Sequence, residues 1–159
     1  PKFHILGSSA CGIKNAENMD IWCRFINPEG HFLPLTAGNG TRLWMMGFKT
    51  ERGGSEKVNQ HDLKVIEGGK LEVLGGVSGV TPKGILINEN GDVSLTCVMS
   101  SNGYLQKNDV DVIIERLPSG ERVYKGADLP PRTPDNSHPP QPCVKQGEVM
   151  IPLYRMDSE

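Results

Sequence analysis

Four histidines and four cysteines are the first places to look for chemistry in this 159-residue chain. His4, His31, His61 and His138 are scattered, with no His-x-His, His-Glu-x-x-His or Cys/His spacing of the kind that holds zinc. Cys11, Cys23 and His31 would meet only through the tertiary fold, so no metal is assigned. Cys11, Cys23, Cys97 and Cys143 include no Cys-x-x-Cys pair, and reduced, buried thiols are expected rather than disulfides. Ser8-Ser9-Ala10-Cys11-Gly12 would surround a nucleophile with small residues. Activation needs a base, however, and His4, the nearest in sequence, is out of reach on an extended chain. Asp109 and Asp111 share one strand face as an acid/base pair would, but carboxylates at a strand start are usually solvated. Asn88-x-Asn90-Gly91-Asp92 has some oxygen donors of a calcium loop and lacks the trailing bidentate glutamate, so it reads as a turn. Gly75-Gly76-x-x-Gly79 lacks the lysine and helix of a phosphate loop. No catalytic residue, metal or cofactor is assigned.

Binding chemistry is easier to place. Trp22, Trp44 and Tyr104 present flat rings able to stack on a sugar or a base, although two tryptophans more often pair in a core, and that is the reading expected here. Six prolines lie between Gly126 and Pro142. Such a segment is neither helix nor central strand. It suits a groove-binding ligand or, as the reading favoured, a strap across a neighbouring surface. The candidate binding set is therefore Trp22, His31, Trp44, Tyr104, Pro130, Pro131, Arg132, Pro139 and Pro140.

The elements that position these residues follow from periodicity. Val93, Leu95, Cys97 and Met99 alternate with Ser94 and Thr96, the period of two of a half-buried strand. Treating Glu89-Asn90-Gly91 as a three-residue loop sets Ile87 against Val93 and Ile85 against Leu95. Val110 to Leu117 turns through Pro118-Ser119-Gly120 and returns as Arg122 to Lys125. Pro28-Glu29-Gly30 and Glu67-Gly68-Gly69 repeat the glycine-ended tip. Asp20 to Ile26 reads as a strand, His31 to Leu35 as an edge or bulged strand, and Arg42 to Lys49 as a strand covered on both faces. Nineteen glycines and twelve prolines leave room for many turns and few helices. The expected architecture is all-β: an antiparallel β-sandwich or jelly-roll built from successive hairpins, with little helix. Its core spans 1–125, the proline-rich strap 126–142, and a returning C-terminal strand 143–159.

A net charge of −2 with interspersed signs leaves no electrostatic footprint for nucleic acid. Neither a basic leader with an apolar run nor a membrane-length apolar stretch is present, so a cytoplasmic protein without membrane contact is expected. Two function classes remain. The first is a structural or interaction protein, a subunit or accessory (decoration-type) protein of a larger assembly such as a virion, self-associating or docking on a host assembly. The second is a glycan- or small-ligand-binding β-domain, with a cupin-like enzyme built on His31 and His61 behind it.

Overall fold

The structure, a computed structural model, describes residues 2–8, 17–27, 35–51, 61–79, 84–100, 110–130 and 149–159. Eleven strands account for most of them: β1 (Lys2–Ser8), β2 (Asp20–Ile26), β3 (Leu35–Ala37), β4 (Arg42–Glu51), β5 (Leu63–Ile66), β6 (Lys70–Gly79), β7 (Leu86–Glu89), β8 (Asp92–Ser100), β9 (Asp111–Leu117), β10 (Gly120–Lys125) and β11 (Val149–Met156). Among the described residues the sole helical element is a 3-10 turn at Gly126–Asp128.

The strands form two sheets. Sheet A has the order β1-β2-β4-β6-β8-β11 and sheet B the order β10-β9-β7-β5-β3. From β2 to β9 the chain alternates between the sheets, and each strand lies parallel to the strand two places on. That path is a coil: the chain winds around one core as a parallel β-solenoid. Among the described strands only β10 on β9 and β11 on β8 run antiparallel, closing both sheets at the same end.

The register is that of stacked coils. Asp20, Arg42, Lys70 and Asp92 form one column at the strand starts of sheet A. Leu35, Leu63, Leu86 and Ile113 form the matching column of sheet B. Inward rows from sheet A, Ile21-Leu43-Leu71-Val93 and Cys23-Met45-Val73-Leu95, meet Leu63, Leu86, Ile113 and Val65 from sheet B, and all are buried. Each buried aliphatic side chain contributes about 1.5–3 kcal/mol, so these rows hold the coils together.

Two residues before each column position the backbone turns left-handed: Asn18 (φ 53°), Gly40 (67°), Gly68 (73°) and Asn90 (57°). Asparagine and glycine are the residues that tolerate this region, which explains their recurrence at every corner. The corners also stack by backbone hydrogen bonds: Gly40 N–H donates to Gly68 O (3.0 Å), Arg42 N–H to Met19 O (2.8 Å) and Lys70 N–H to Thr41 O (2.8 Å).

The expectation of an antiparallel sandwich of hairpins is therefore overturned. Glu67-Gly68-Gly69 and Glu89-Asn90-Gly91 are not hairpin tips. They are corners that carry the chain from sheet B to sheet A, so β5 does not pair with β6 and β7 does not pair with β8. A left-handed glycine or asparagine serves a hairpin and a solenoid corner equally well, and only the choice of strand partner separates them. One expected hairpin is present: β9 and β10 pair through Pro118-Ser119, with Val123 opposite Ile114. The last strand is also present, as β11. Alternation survives because a coil, like a sandwich, has one buried and one solvated face; β5 and β7 each alternate buried and half-buried residues. The run Arg42 to Lys49 is covered on one face only, since Met46 is exposed and Trp44 half-buried. Leu35 opens β3, the edge strand of sheet B, whereas 31–34 and the tip 28–30 lie outside the described residues. No helix among the described residues is long and apolar enough to cross a membrane.

Candidate functional site: the outer face of sheet A

In-register parallel coils put equivalent side chains one strand spacing apart, about 4.8 Å. One outward row of sheet A reads His4, Trp22, Trp44, Glu72, Ser94, Arg155. Its rings consequently stack. His4 and Trp22 have centroids 4.9 Å apart at 12°, and Trp22 and Trp44 are 4.8 Å apart at 5°. Trp22 is sandwiched on both faces, while Trp44 ends the stack. The tryptophans do pair as expected, but on the outer surface rather than in the core, because both fall on the solvent side of the alternation. The Arg42 guanidinium lies 5.7 Å from the Trp44 ring centre and is clamped by both carboxylate oxygens of Asp20 at 2.7 and 2.8 Å.

Beyond Trp44 the row changes chemistry. A cleft of about 310 Å³ opens there, lined by Trp44, Lys70, Glu72, Asp92, Ser94 and Arg155 among others. Lys70 pairs with Asp92 at 2.5 Å, and Asp92 also accepts hydrogen bonds from the Ser158 N–H and hydroxyl at 2.8 Å. The bond from Lys70 first, then those from Ser158, hold the Asp92 carboxyl at about 2. Arg155 pairs with Asp157 at 3.5 Å. Glu72 has no hydrogen bond or ion pair among the described residues.

A second outward row, nearer the strand ends, joins a cation to apolar side chains: Arg24, Met46, Leu74 and Thr96 lie in register, Met46 and Leu74 are 49 % and 51 % exposed, and Leu153, 63 % exposed, falls in the irregular part of the β11–β8 pairing. Beside it, Phe25 is 78 % exposed at φ 54°. The stacked positions in the next two coils are Gly47 (φ 73°) and Gly75 (φ 70°), and the Phe25 ring lies against Gly47.

Of the residues singled out from sequence, Trp22 and Trp44 are brought together. Pro130 is exposed, just past a 3-10 turn whose neighbour Leu129 packs on the core. His31, Tyr104, Pro131, Arg132, Pro139 and Pro140 lie outside the described residues, as do Cys11, Cys143, Asp109 and most of the Ser8–Gly12 run. Cys23 and Cys97 are both buried. Burial, and then Asp62 nearby, pushes the Cys97 thiol up to about 12, so it is not a nucleophile at neutral pH. His61 is buried, with its Nε2 3.0 Å from the Asp111 carbonyl oxygen. Among the described residues no cluster of three metal-ligating side chains forms. The calcium-like oxygens are committed elsewhere: Asn88 accepts from Gly91 N–H at 2.8 Å and donates to Gly91 O at 3.1 Å, closing the corner.

Sequence reasoning missed Glu115. It extends the inward row Ala37-Val65-Asn88 and is buried, accepting from the Tyr154 hydroxyl at 2.7 Å and the Tyr124 hydroxyl at 3.3 Å, with Arg122 3.5 Å away. Burial first, then the Glu115 bond, raises the Tyr154 phenol far above its usual range. The cluster ties β9, β10 and β11 together at the closing end of the coil. Its only signal in the sequence is a carboxylate inside a β-branched run. No protein-family model, no curated protein and no solved structure matches this chain.

Proposed function

We propose that this protein is a structural interaction subunit that self-associates through the strand-end half of the outer face of sheet A. The observation that carries the reading is Phe25. A side chain other than glycine or asparagine in the left-handed region costs about 1–2 kcal/mol, and the equivalent positions of the next two coils are glycines. The strain is kept to hold an aromatic ring in solvent, beside exposed Met46, Leu74 and Leu153. Strain retained at an exposed residue points to use of that residue, and exposed apolar side chains gathered beside it point to a protein contact. A second copy is the occupant the face supports. Apolar contact is non-directional, so the patch complements itself, and a two-fold pairing needs no other surface.

A solenoid closed at one end suits an accessory or decoration role on a larger assembly, a virion among them. Sedimentation velocity of the protein, of Leu74→Lys and of Phe25→Gly tests the reading. The protein is expected to sediment as an oligomer and both variants as folded monomers. Phe25→Gly is also expected to gain up to about 1 kcal/mol in urea unfolding, because the strain is relieved. A protein that stays monomeric into the high micromolar range, or a Leu74→Lys variant that associates unchanged, overturns it.

A further inference from the structure

We infer that the cleft at Trp44 is a binding site for a neutral oligosaccharide. It lies at the strand-start half of sheet A, beside the apolar patch rather than under it. Four observations carry it. The aromatic stack begins at His4 and stops at Trp44, at the mouth of a cleft of about 310 Å³. Another ring at position 72 would have continued a purely stabilising ladder. Glu72 stands there instead, and its carboxylate has no partner among the described residues while its neighbours Lys70–Asp92 and Arg155–Asp157 are ion-paired. Ser94 occupies the next position with a free-standing hydroxyl donor and acceptor.

This set matches the two faces of a pyranose. The C–H face of a sugar ring packs on a rigid indole, and Trp44 is fixed by Trp22 on one side and by the clamped Arg42 nearby. Adjacent ring hydroxyls donate to the two oxygens of one carboxylate, as charge-assisted bonds. The row advances about 4.8 Å per strand, so Glu72, Ser94 and Arg155 line a track running across the strands, and an extended chain of several sugars fits it better than a single ring. Glu72, Asp92 and Asp157 outnumber Lys70 and Arg155 around the cleft, which disfavours a polyanionic ligand. No reaction is implied: the site binds.

The test is saturation-transfer NMR and tryptophan fluorescence on the whole protein with maltohexaose, cellohexaose and chitohexaose, and with hexagalacturonate as the acidic control. At least one neutral hexasaccharide is expected to saturate at millimolar concentration or below. Glu72→Ala is expected to weaken it roughly tenfold, the scale of one lost charged hydrogen bond, and Trp44→Ala to abolish it. Glu72→Ala removes a half-buried side chain with no ion-pair partner among the described residues, so it keeps the test sound even if Trp44→Ala disturbs the stack. Lack of saturation by every neutral probe, binding indifferent to Glu72→Ala, or tighter binding of hexagalacturonate each overturns the site. The same titration on Leu74→Lys should be unchanged, so the sugar site and the self-association reading fail separately.

Discussion

At the scale of single residues, charge placement on this coil is set by the columns. In the column Asp20, Arg42, Lys70, Asp92 the two cations stand side by side and a carboxylate flanks each, one strand away. Opposite charges also meet on sheet B, where Glu89 lies between Lys64 at 2.8 Å and Arg116 at 2.9 Å. Burial acts to raise the Glu89 carboxyl, and Lys64 and Arg116 together bring it below its ordinary value. Asp92 gives the sharper prediction. Its carboxyl falls from an ordinary 3.8 to about 2, because Lys70 and Ser158 bond the charged form. A depressed folded-state pKa stabilises the fold above the unfolded value, and that contribution is lost as pH falls through the folded value. The stability gap between the protein and Asp92→Asn is therefore expected to be constant above about pH 5 and to shrink progressively as pH falls from there through about 2. Urea unfolding across that range measures it, and a gap as large at about pH 2 as at about pH 6 removes Asp92 from the account.

At the scale of elements, the decisive contacts are those between coils. Gly84 precedes β7 at a point where the backbone of β9 passes so close that any Cβ would collide with the Asp111 and Val112 carbonyl oxygens. The contact is fastened by Ile85 N–H donating to Val112 O at 2.8 Å and Leu63 N–H donating to Ile85 O at 2.7 Å. Because the obstruction is backbone, no rotamer change relieves it. Gly84→Ala should then cost about 1–3 kcal/mol, the usual range for forcing atoms into a packed interior, with the urea midpoint lowered and the slope retained. The Phe25–Gly47–Gly75 stack shows a different case: the Phe25 ring fills the space over Gly47, and strain is accepted for the sake of that side chain.

At the scale of the whole molecule, a solenoid is held by neighbour-to-neighbour contacts, so its ends carry special weight. Here one end is closed by β10 and β11, both antiparallel to their neighbours, and by the Glu115–Tyr154–Tyr124 cluster that joins them. Ser158 and Glu159 add bonds to Asp92, Asn90 and Ser119. Removing residues 149–159 would expose β8 as a bare edge and leave the buried Glu115 without its shortest bond. An unpaired edge templates further strands, and a buried carboxylate stripped of a partner destabilises. The truncated chain is expected to aggregate at concentrations where the full chain stays dispersed. Light scattering decides it, and a soluble truncation with unchanged unfolding would show that the cap is dispensable.

The sequence by itself determined the local facts. Alternation in Val93 to Met99 identified a strand with one wet face, Pro118-Ser119-Gly120 identified a true hairpin, and the glycines and asparagines marked where the chain must turn. It paired Trp22 with Trp44 as well, but in the core, whereas the pair lies on the outer face. What it left undecided was which strand lies beside which, since that depends on contacts 22 to 28 residues apart in the chain. Coils of unequal length leave no visible repeat. A corner such as Glu67-Gly68-Gly69 has the same left-handed glycine in a hairpin and in a solenoid, so local propensity is silent on the choice. Tertiary packing made it: parallel stacking aligns Ile21, Leu43, Leu71 and Val93 in one buried row. The same stacking turned Trp22 and Trp44 outward onto one row with His4 and Glu72, and drew the inconspicuous Glu115 into the closed end of the coil.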